Sequence, residues 1–244
     1  MKQIVEFTKL LVVLQKKSTI PGFFIGLMPA IITSLSIEFF IGRIIGGNSE
    51  ASLAGFKAVN VIFYFLISQS LSLSLTSLNK YKKIIKNSYL KTETVILSEI
   101  ILQFINFIFL FLLFSIFFGF PIYIILLISI LAIFTILYII GLSILISILA
   151  VVLDDFNRVL GIILQVSFWL SPIIYILRDI NSPVKYLIMI NPFHIFYECI
   201  YLIFHGFEKF DNEIMIISTI SFVIFSFFIF MLLKNLGKKI SLFL

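Results

Sequence analysis

Residues 95–153 read VILSEIILQFINFIFLFLLFSIFFGFPIYIILLISILAIFTILYIIGLSILISILAVVL, and Glu99 is the one charged side chain among them. A helix rising 1.5 Å per residue needs about 20 apolar residues to cross roughly 30 Å of hydrocarbon. The stretch is long enough to cross twice, as Val95–Phe118 and as Pro121–Leu153, with the break at Gly119-Phe120. The second of these has length to spare for a tilt. Working outward, the same requirement is met by Pro21–Ile41, Phe56–Leu78, Val159–Leu177 and Ile214–Leu233. The expectation is an all-α membrane protein with six transmembrane helices.

Composition agrees. Of 244 residues, 61% are hydrophobic and 12% charged, against roughly 45–50% and 25% in soluble chains. So few charges cannot cover a water-facing surface. With 30 Phe and a mean hydropathy of +1.19, a soluble globular enzyme, a disordered chain and a lipid-anchored nucleic-acid-binding domain are excluded. The net charge of +6 follows from placement. With the N-terminus inside, thirteen Lys and Arg fall on the cytoplasmic side and five outside (Arg43, Lys57, Arg178, Lys185 and Lys209). That excess puts both termini in the cytoplasm. The single cysteine, Cys199, excludes an internal disulfide and a cysteine-based metal cluster.

Residues 1–20 carry Lys2, Lys9, Lys16 and Lys17 among Ile4, Val5, Leu11, Val12 and Leu14. They read as an interfacial amphipathic helix without a cleavage site, and 21–244 as the membrane domain. Tyr186–Phe204 is apolar but broken by Asn191-Pro192, and it holds His194 and Glu198. It reads as two short pieces, a re-entrant segment over about 181–206 that is tolerable only if protein covers its free backbone groups.

Catalytic chemistry finds little footing. The Gly237-Lys238 pair has Leu232 and Lys239 where a phosphate loop needs Gly and a hydroxyl. Gly141-Leu142-Ser143 runs on into Ile144 and Leu145 in mid-span and makes no nucleophile turn. Adjacent carboxylates at Asp154 and Asp155 diverge by about 100 degrees on a helix, a poor metal cage but a fair partner for Arg158. They are what a membrane-embedded transferase would have to use. An ion-coupled carrier would rest on Glu99, which lines up with Gln103 and Asn106 on one polar stripe; interhelical hydrogen bonding explains such a stripe more simply. Small hydroxyl residues on the second span (Ser68, Ser72 and Thr76; Ser70, Ser74 and Ser77) and Gly141, Ser143, Ser147 and Ala150 on the fourth mark close helix packing.

Two stretches carry more. Residues 78–91, LNKYKKIIKNSYLK, place Tyr81, Ile84, Ile85 and Tyr89 at helical spacing with lysines on the other face, which suits a short amphipathic helix on lipid or on a partner protein. The fifth span follows Asp155-Phe156-Asn157-Arg158 and ends in Ser171-Pro172-Ile173-Ile174-Tyr175, with Asn191-Pro192-Phe193 further on. This order resembles the permease subunits of type-2 ABC exporters, particularly those for polysaccharides, O-antigens and teichoic acids. LNKYKKIIKNSYLKTE and FFIGRIIG (Phe39–Gly46) fit the same pattern, and the resemblance covers nearly the whole chain. The chain departs from it at Asp154-Asp155, where Arg-Asp is usual, at Glu198, where Arg is common, and at Gly26-Leu27-Met28-Pro29, which lacks a Trp.

The resemblance implies a homodimer in a bacterial cytoplasmic membrane, paired with two copies of a soluble ABC ATPase that binds ATP and Mg. This chain would bind no cofactor, hold no metal and have no catalytic residue. Residues 79–90 would be the coupling helix, with Asn79, Lys80, Tyr81, Lys82, Lys83, Ile84, Ile85, Lys86, Asn87 and Tyr89 meeting the ATPase. Phe23, Phe24, Gln165, Phe168, Trp169 and Tyr175 would line the path, and Ser171, Pro172, Asn191 and Pro192 would form the outer gating motif. The cargo would be a lipid-linked polysaccharide, or alternatively a drug, lipid or small molecule.

Overall fold

Four of the six apolar runs become long helices in the computed structural model, which describes residues 2–17, 31–33, 51–87, 91–153, 155–180 and 183–236. In chain order the elements are α1 (Lys2–Lys17), α2 (Ala51–Lys80), α3 (Lys82–Asn87), α4 (Thr92–Phe118), α5 (Ile122–Val152), α6 (Phe156–Trp169), α7 (Val184–Ile190), α8 (His194–His205) and α9 (Asn212–Leu236). Short 3₁₀ turns sit at Leu177–Asp179 and Phe207–Lys209. Among the described residues there is no strand. Helices α2, α4, α5 and α9 each contain a segment apolar and long enough to span a bilayer, at Ala54–Leu78, Thr92–Phe118, Ile122–Val151 and Asn212–Lys234. The chain is therefore a multi-pass membrane protein. The expected first span lies outside the described residues except for 31–33, which are helical.

Helix α2 is the hub. Its spanning window is 72% buried, against 39% for α4 and α5 and 11% for α9. It packs on α4, α5, α6 and α8, and its least hydrophobic residues are what let it do so. Ser70, Ser74 and Ser77 are buried, and Ser147 of α5 donates to the Ser74 carbonyl at 2.7 Å. A hydroxyl has little bulk beyond the backbone, so the two helices close on each other there. Thr76 on the adjoining face is exposed.

The turn between α4 and α5 depends on Gly119, whose φ of +65 lets its N–H cap the Ile116 and Ser115 carbonyls. Phe120 then folds against the start of α2. A Cβ added at Gly55 would lie 2.6 Å from the Phe120 ring, so the glycine is what admits that ring.

The fifth span departs from expectation. Its helix was expected over Val159–Leu177, but α6 closes at Trp169 after 14 residues, about 21 Å of rise. Pro172 explains the stop, since it has no N–H to donate back and forces the preceding residue out of helical geometry. The Tyr186–Phe204 stretch does come as two pieces, α7 and α8, bent by 102° at the Asn191–Phe193 break.

Candidate functional site

Two places depart from plain apolar packing, at opposite ends of α2. At one end, α2 passes into α3 through Tyr81 alone, and the helical hydrogen bonds run on through this elbow (Tyr81 N–H to Ser77 O, 3.0 Å; Ile85 N–H to Tyr81 O, 2.9 Å). Tyr81 is buried, edge-on to Phe7 of α1 at 5.5 Å between ring centres. Phe7, Leu11, Tyr81, Val95 and Leu102 form a small core of their own, with Ile85 packed on it. Within it Glu99 of α4 accepts a hydrogen bond from the Tyr81 hydroxyl at 2.9 Å, and Lys80 Nζ stands 3.6 Å from the same carboxylate oxygen. Burial raises the Tyr81 phenol above its usual value of 10, which keeps it a donor. Ser98 of α4 also donates to the Ile4 carbonyl of α1 at 3.4 Å. Three helices thus meet on one tyrosine and one glutamate.

The expected coupling residues divide here. Tyr81 and Ile85 turn inward to the chain's own core, while Lys80, Lys82 and Ile84 are exposed. Tyr89 lies outside the described residues, as do the side chains of Asn79, Lys83, Lys86 and Asn87. The expected polar stripe also comes apart. Glu99 serves the elbow, whereas Asn106 bonds to Gln103 at 3.5 Å further along α4. In α1, Phe7 stands beside Leu11 in this core and is not among the apolar positions read for the interfacial helix. An aromatic at the centre of the segment was the signal available.

At the other end, broken helices lie inside the bundle, and polar side chains cover the backbone they free. Asn60, about 9 Å into α2's span, donates to the Pro172 carbonyl at 3.2 Å. Asn191 Nδ2 donates to Ser171 Oγ at 3.1 Å and to the Leu170 carbonyl at 3.4 Å, while its Oδ1 accepts from the Phe193 N–H at 3.0 Å. Ser221 of α9 donates to the Ile190 carbonyl at the end of α7. Without water, each such carbonyl needs a partner from the protein. The SPIIY and NP motifs, about 20 residues apart in the chain, are joined by one amide.

The break between α7 and α8 is deep. Phe193 and Phe196 pack on Tyr138 (ring centres 5.6 and 6.1 Å), about 24 Å along α5, and Phe204 returns to Phe120 at its beginning (5.2 Å). Helix α8 is clamped there by Arg178, whose guanidinium grips both oxygens of the buried Glu198, donates to the Lys209 carbonyl at 2.8 Å and lies 4.1 Å from the centre of the Tyr201 ring. The resemblance drew attention to Glu198 only as a departure. Its partner comes from 20 residues upstream, just past the SPIIY motif.

Between these ends, Asn157, Gly161, Gln165 and Trp169 of α6 recur every fourth residue and are all exposed, Trp169 by 67%. Only Leu160 and Leu164 of α6 are buried. Phe168 instead turns inward against Tyr64 at 5.0 Å, and Tyr175, half-buried, donates to the Trp169 carbonyl at 3.0 Å. Phe23, Phe24 and the Gly26–Pro29 and Phe39–Gly46 stretches lie outside the described residues. So does Asp154, while Asp155 pairs in the open with Arg158 at 3.7 Å.

No curated protein matches the chain. The family model for the ABC-2 type transporter matches residues 8–205, from α1 at the elbow through Asn191 to the last turn of α8. Members of that family are membrane components of ABC transporters, and in general a separate ATPase subunit supplies the hydrolysis. On that match, and with at least four helices able to span a bilayer, this chain belongs to the ABC-2 type transporter family.

Proposed function

We propose that this chain is the membrane-spanning subunit of an ATP-driven exporter that moves a lipid-linked polysaccharide, such as O-antigen, capsule or a teichoic-acid-like polymer, outward across a bacterial cytoplasmic membrane. The observation that carries the cargo class is the exposed row Asn157, Gly161, Gln165 and Trp169 on α6. Sugar rings present apolar C–H faces that stack on an indole, and hydroxyls that an amide can bond in passing. Lipid alone gives no reason for two amides and a glycine on the open face of α6.

Two copies of the chain would face each other across this row, with residues 21–41, including Phe23 and Phe24, completing the path. The elbow end, with α1 and α3, is the cytoplasmic end, where two ATPase subunits holding ATP and Mg dock on α3. The far end, with α7 and α8 as a re-entrant hairpin, faces outward, and the Ser171–Asn191 bond holds its tip. ATP-driven closure of the partners would shift the packed helices between two arrangements.

The test is affinity purification from native membranes in gentle detergent, with mass spectrometry of what accompanies the chain. A phosphate-loop ATPase in a two-to-two complex is the expected result; recovery of an intact dimer without one sinks the reading. Cargo is tested separately by surface glycan in a Trp169→Ala, Gln165→Leu variant. Surface glycan should fall while the ATPase still copurifies, and unchanged glycan would move the cargo to a drug, lipid or small molecule.

A further inference from the structure

The carboxylate on α4 sits where no apolar span needs one. Glu99 is almost wholly buried, yet it belongs to the second turn of a helix that carries no other charge from Val95 onward. Its two neighbours are the last residue of α2 and the one residue between α2 and α3. It therefore ties α4 to the point where α3 begins. Phe7 closes the same point from α1. A displacement of α3 cannot leave α4 behind without breaking a buried hydrogen bond to a charged acceptor, and such bonds are among the stronger ones available.

We infer that Glu99 is a positioning residue for energy coupling. Through the Tyr81 hydroxyl it makes α4 move with α3, so that a push on the elbow reaches a second spanning helix as well as α2. This rests on the reading of α3 as the docking site of the ATPase. It assigns Glu99 no proton and no cargo contact, so the carboxylate that an ion-coupled carrier would use becomes a mechanical tie. What distinguishes the tie from ordinary packing is its place: it is made at the joint and not along the helices.

The test uses the full chain with its copurified ATPase in proteoliposomes. Cys199 is replaced by Ser, and spin labels are placed at Ile116→Cys near the far end of α4 and at Phe227→Cys on α9, both exposed positions. Distances are measured by electron paramagnetic resonance without nucleotide and after trapping with ADP and vanadate. The parent should show a distance change on trapping. Glu99→Leu and Tyr81→Phe should lose it while still hydrolysing ATP, and Glu99→Gln, which keeps an acceptor for Tyr81, should retain it. A change of the same size in Glu99→Leu, or none in the parent, overturns the inference. Tyr81→Phe keeps the test open if Glu99→Leu does not insert. An Ile84→Asn variant separates the two readings: if it still recovers the ATPase, the docking assignment fails. If recovery is lost there while Glu99→Leu moves normally, only the tie fails.

Discussion

Glu99 at the elbow and Glu198 at the far end are both buried, 4% and 3% exposed, and each faces one cation. The cations differ. Arg178 is enclosed, grips both carboxylate oxygens and is backed by Tyr201 and a carbonyl. Lys80 stands 56% exposed, with Nζ at 3.6 Å from one oxygen. A planar guanidinium fixed by four contacts holds one geometry. An ammonium in reach of water on a flexible stem follows its partner without defining where it must be. The far end is thus built as a clamp on α8, and the elbow as a joint in which direction comes from the Tyr81 hydroxyl and compliance from Lys80.

The sharpest way to break that contrast is to remove Arg178. Arg178→Ala leaves a buried carboxylate without compensation, a loss of about 3–5 kcal/mol. Thermal unfolding of the detergent-purified chain should show it plainly. Replacing both partners by methionine should recover most of the loss, because the desolvation cost of both charges disappears with them. Equal melting of the single and double variants would mean that the pair is not a clamp.

Next in size is Asn191. Asn191→Leu fits the space but takes the donor from Leu170 and Ser171 and the acceptor from Phe193. The expected destabilisation is about 1–3 kcal/mol. Faster hydrogen exchange should appear locally, at residues 171–175 and 193–196, because this amide joins the ends of two broken helices. Exchange that rises evenly across α2 and α5 instead would place the strength of the far end in general packing.

How legible these two regions were in the sequence follows from the same physics. Long apolar runs have one solution in a bilayer, and α2, α4, α5 and α9 were readable from length alone. The break at Asn191-Pro192 was readable too, because proline punctuates. The end of α6 was not, since Ile173, Ile174 and Ile176 continue the apolar run past Pro172, and hydropathy is blind to where a helix stops. The pairing of Arg178 with Glu198 and of Tyr81 with Glu99 is tertiary. Periodicity put Glu99 on a stripe with Gln103 and Asn106, but which neighbour each residue meets depends on how α1 and the elbow pack on α4. The exposed row on α6 was half legible: Gln165 and Trp169 stood among the expected path residues, with Asn157 and Gly161 at the same four-residue spacing, and the inward turn of Phe168 needed Tyr64 to be in place.

Tyr81→Phe sharpens the comparison from the elbow side. It removes one hydroxyl from a buried, charge-assisted bond and leaves the ring, Phe7 and Lys80 where they were. A loss of about 1.5 kcal/mol is expected, smaller than Arg178→Ala because Glu99 keeps a cation and a route to water through it. A thermal shift as large as that of Arg178→Ala would show that the elbow is also a rigid clamp.

Lys80→Met should do least to stability. Lys80 itself is 56% exposed and Glu99 keeps the bond from the Tyr81 hydroxyl, so the loss should be smaller than that of Arg178→Ala, and methionine keeps much of the packing of the lysine stem. Burial alone would lower the Lys80 amine, but its bond to Tyr81 and the charge of Glu99 outweigh that and raise it above 10.5. A raised folded-state value means that the contribution is fully present below about pH 10.5 and is lost only as pH climbs through the higher folded value. Across pH 6 to 9 the difference between parent and Lys80→Met should therefore be small and flat. Salt should narrow it, since an exposed cation is screened within about 8–10 Å at moderate ionic strength. Arg178→Ala should answer less to salt than Lys80→Met, because the Arg178 side chain is only 19% exposed and its charge is paired with a buried carboxylate. A Lys80 variant as unstable as Arg178→Ala and indifferent to salt would erase the distinction between joint and clamp.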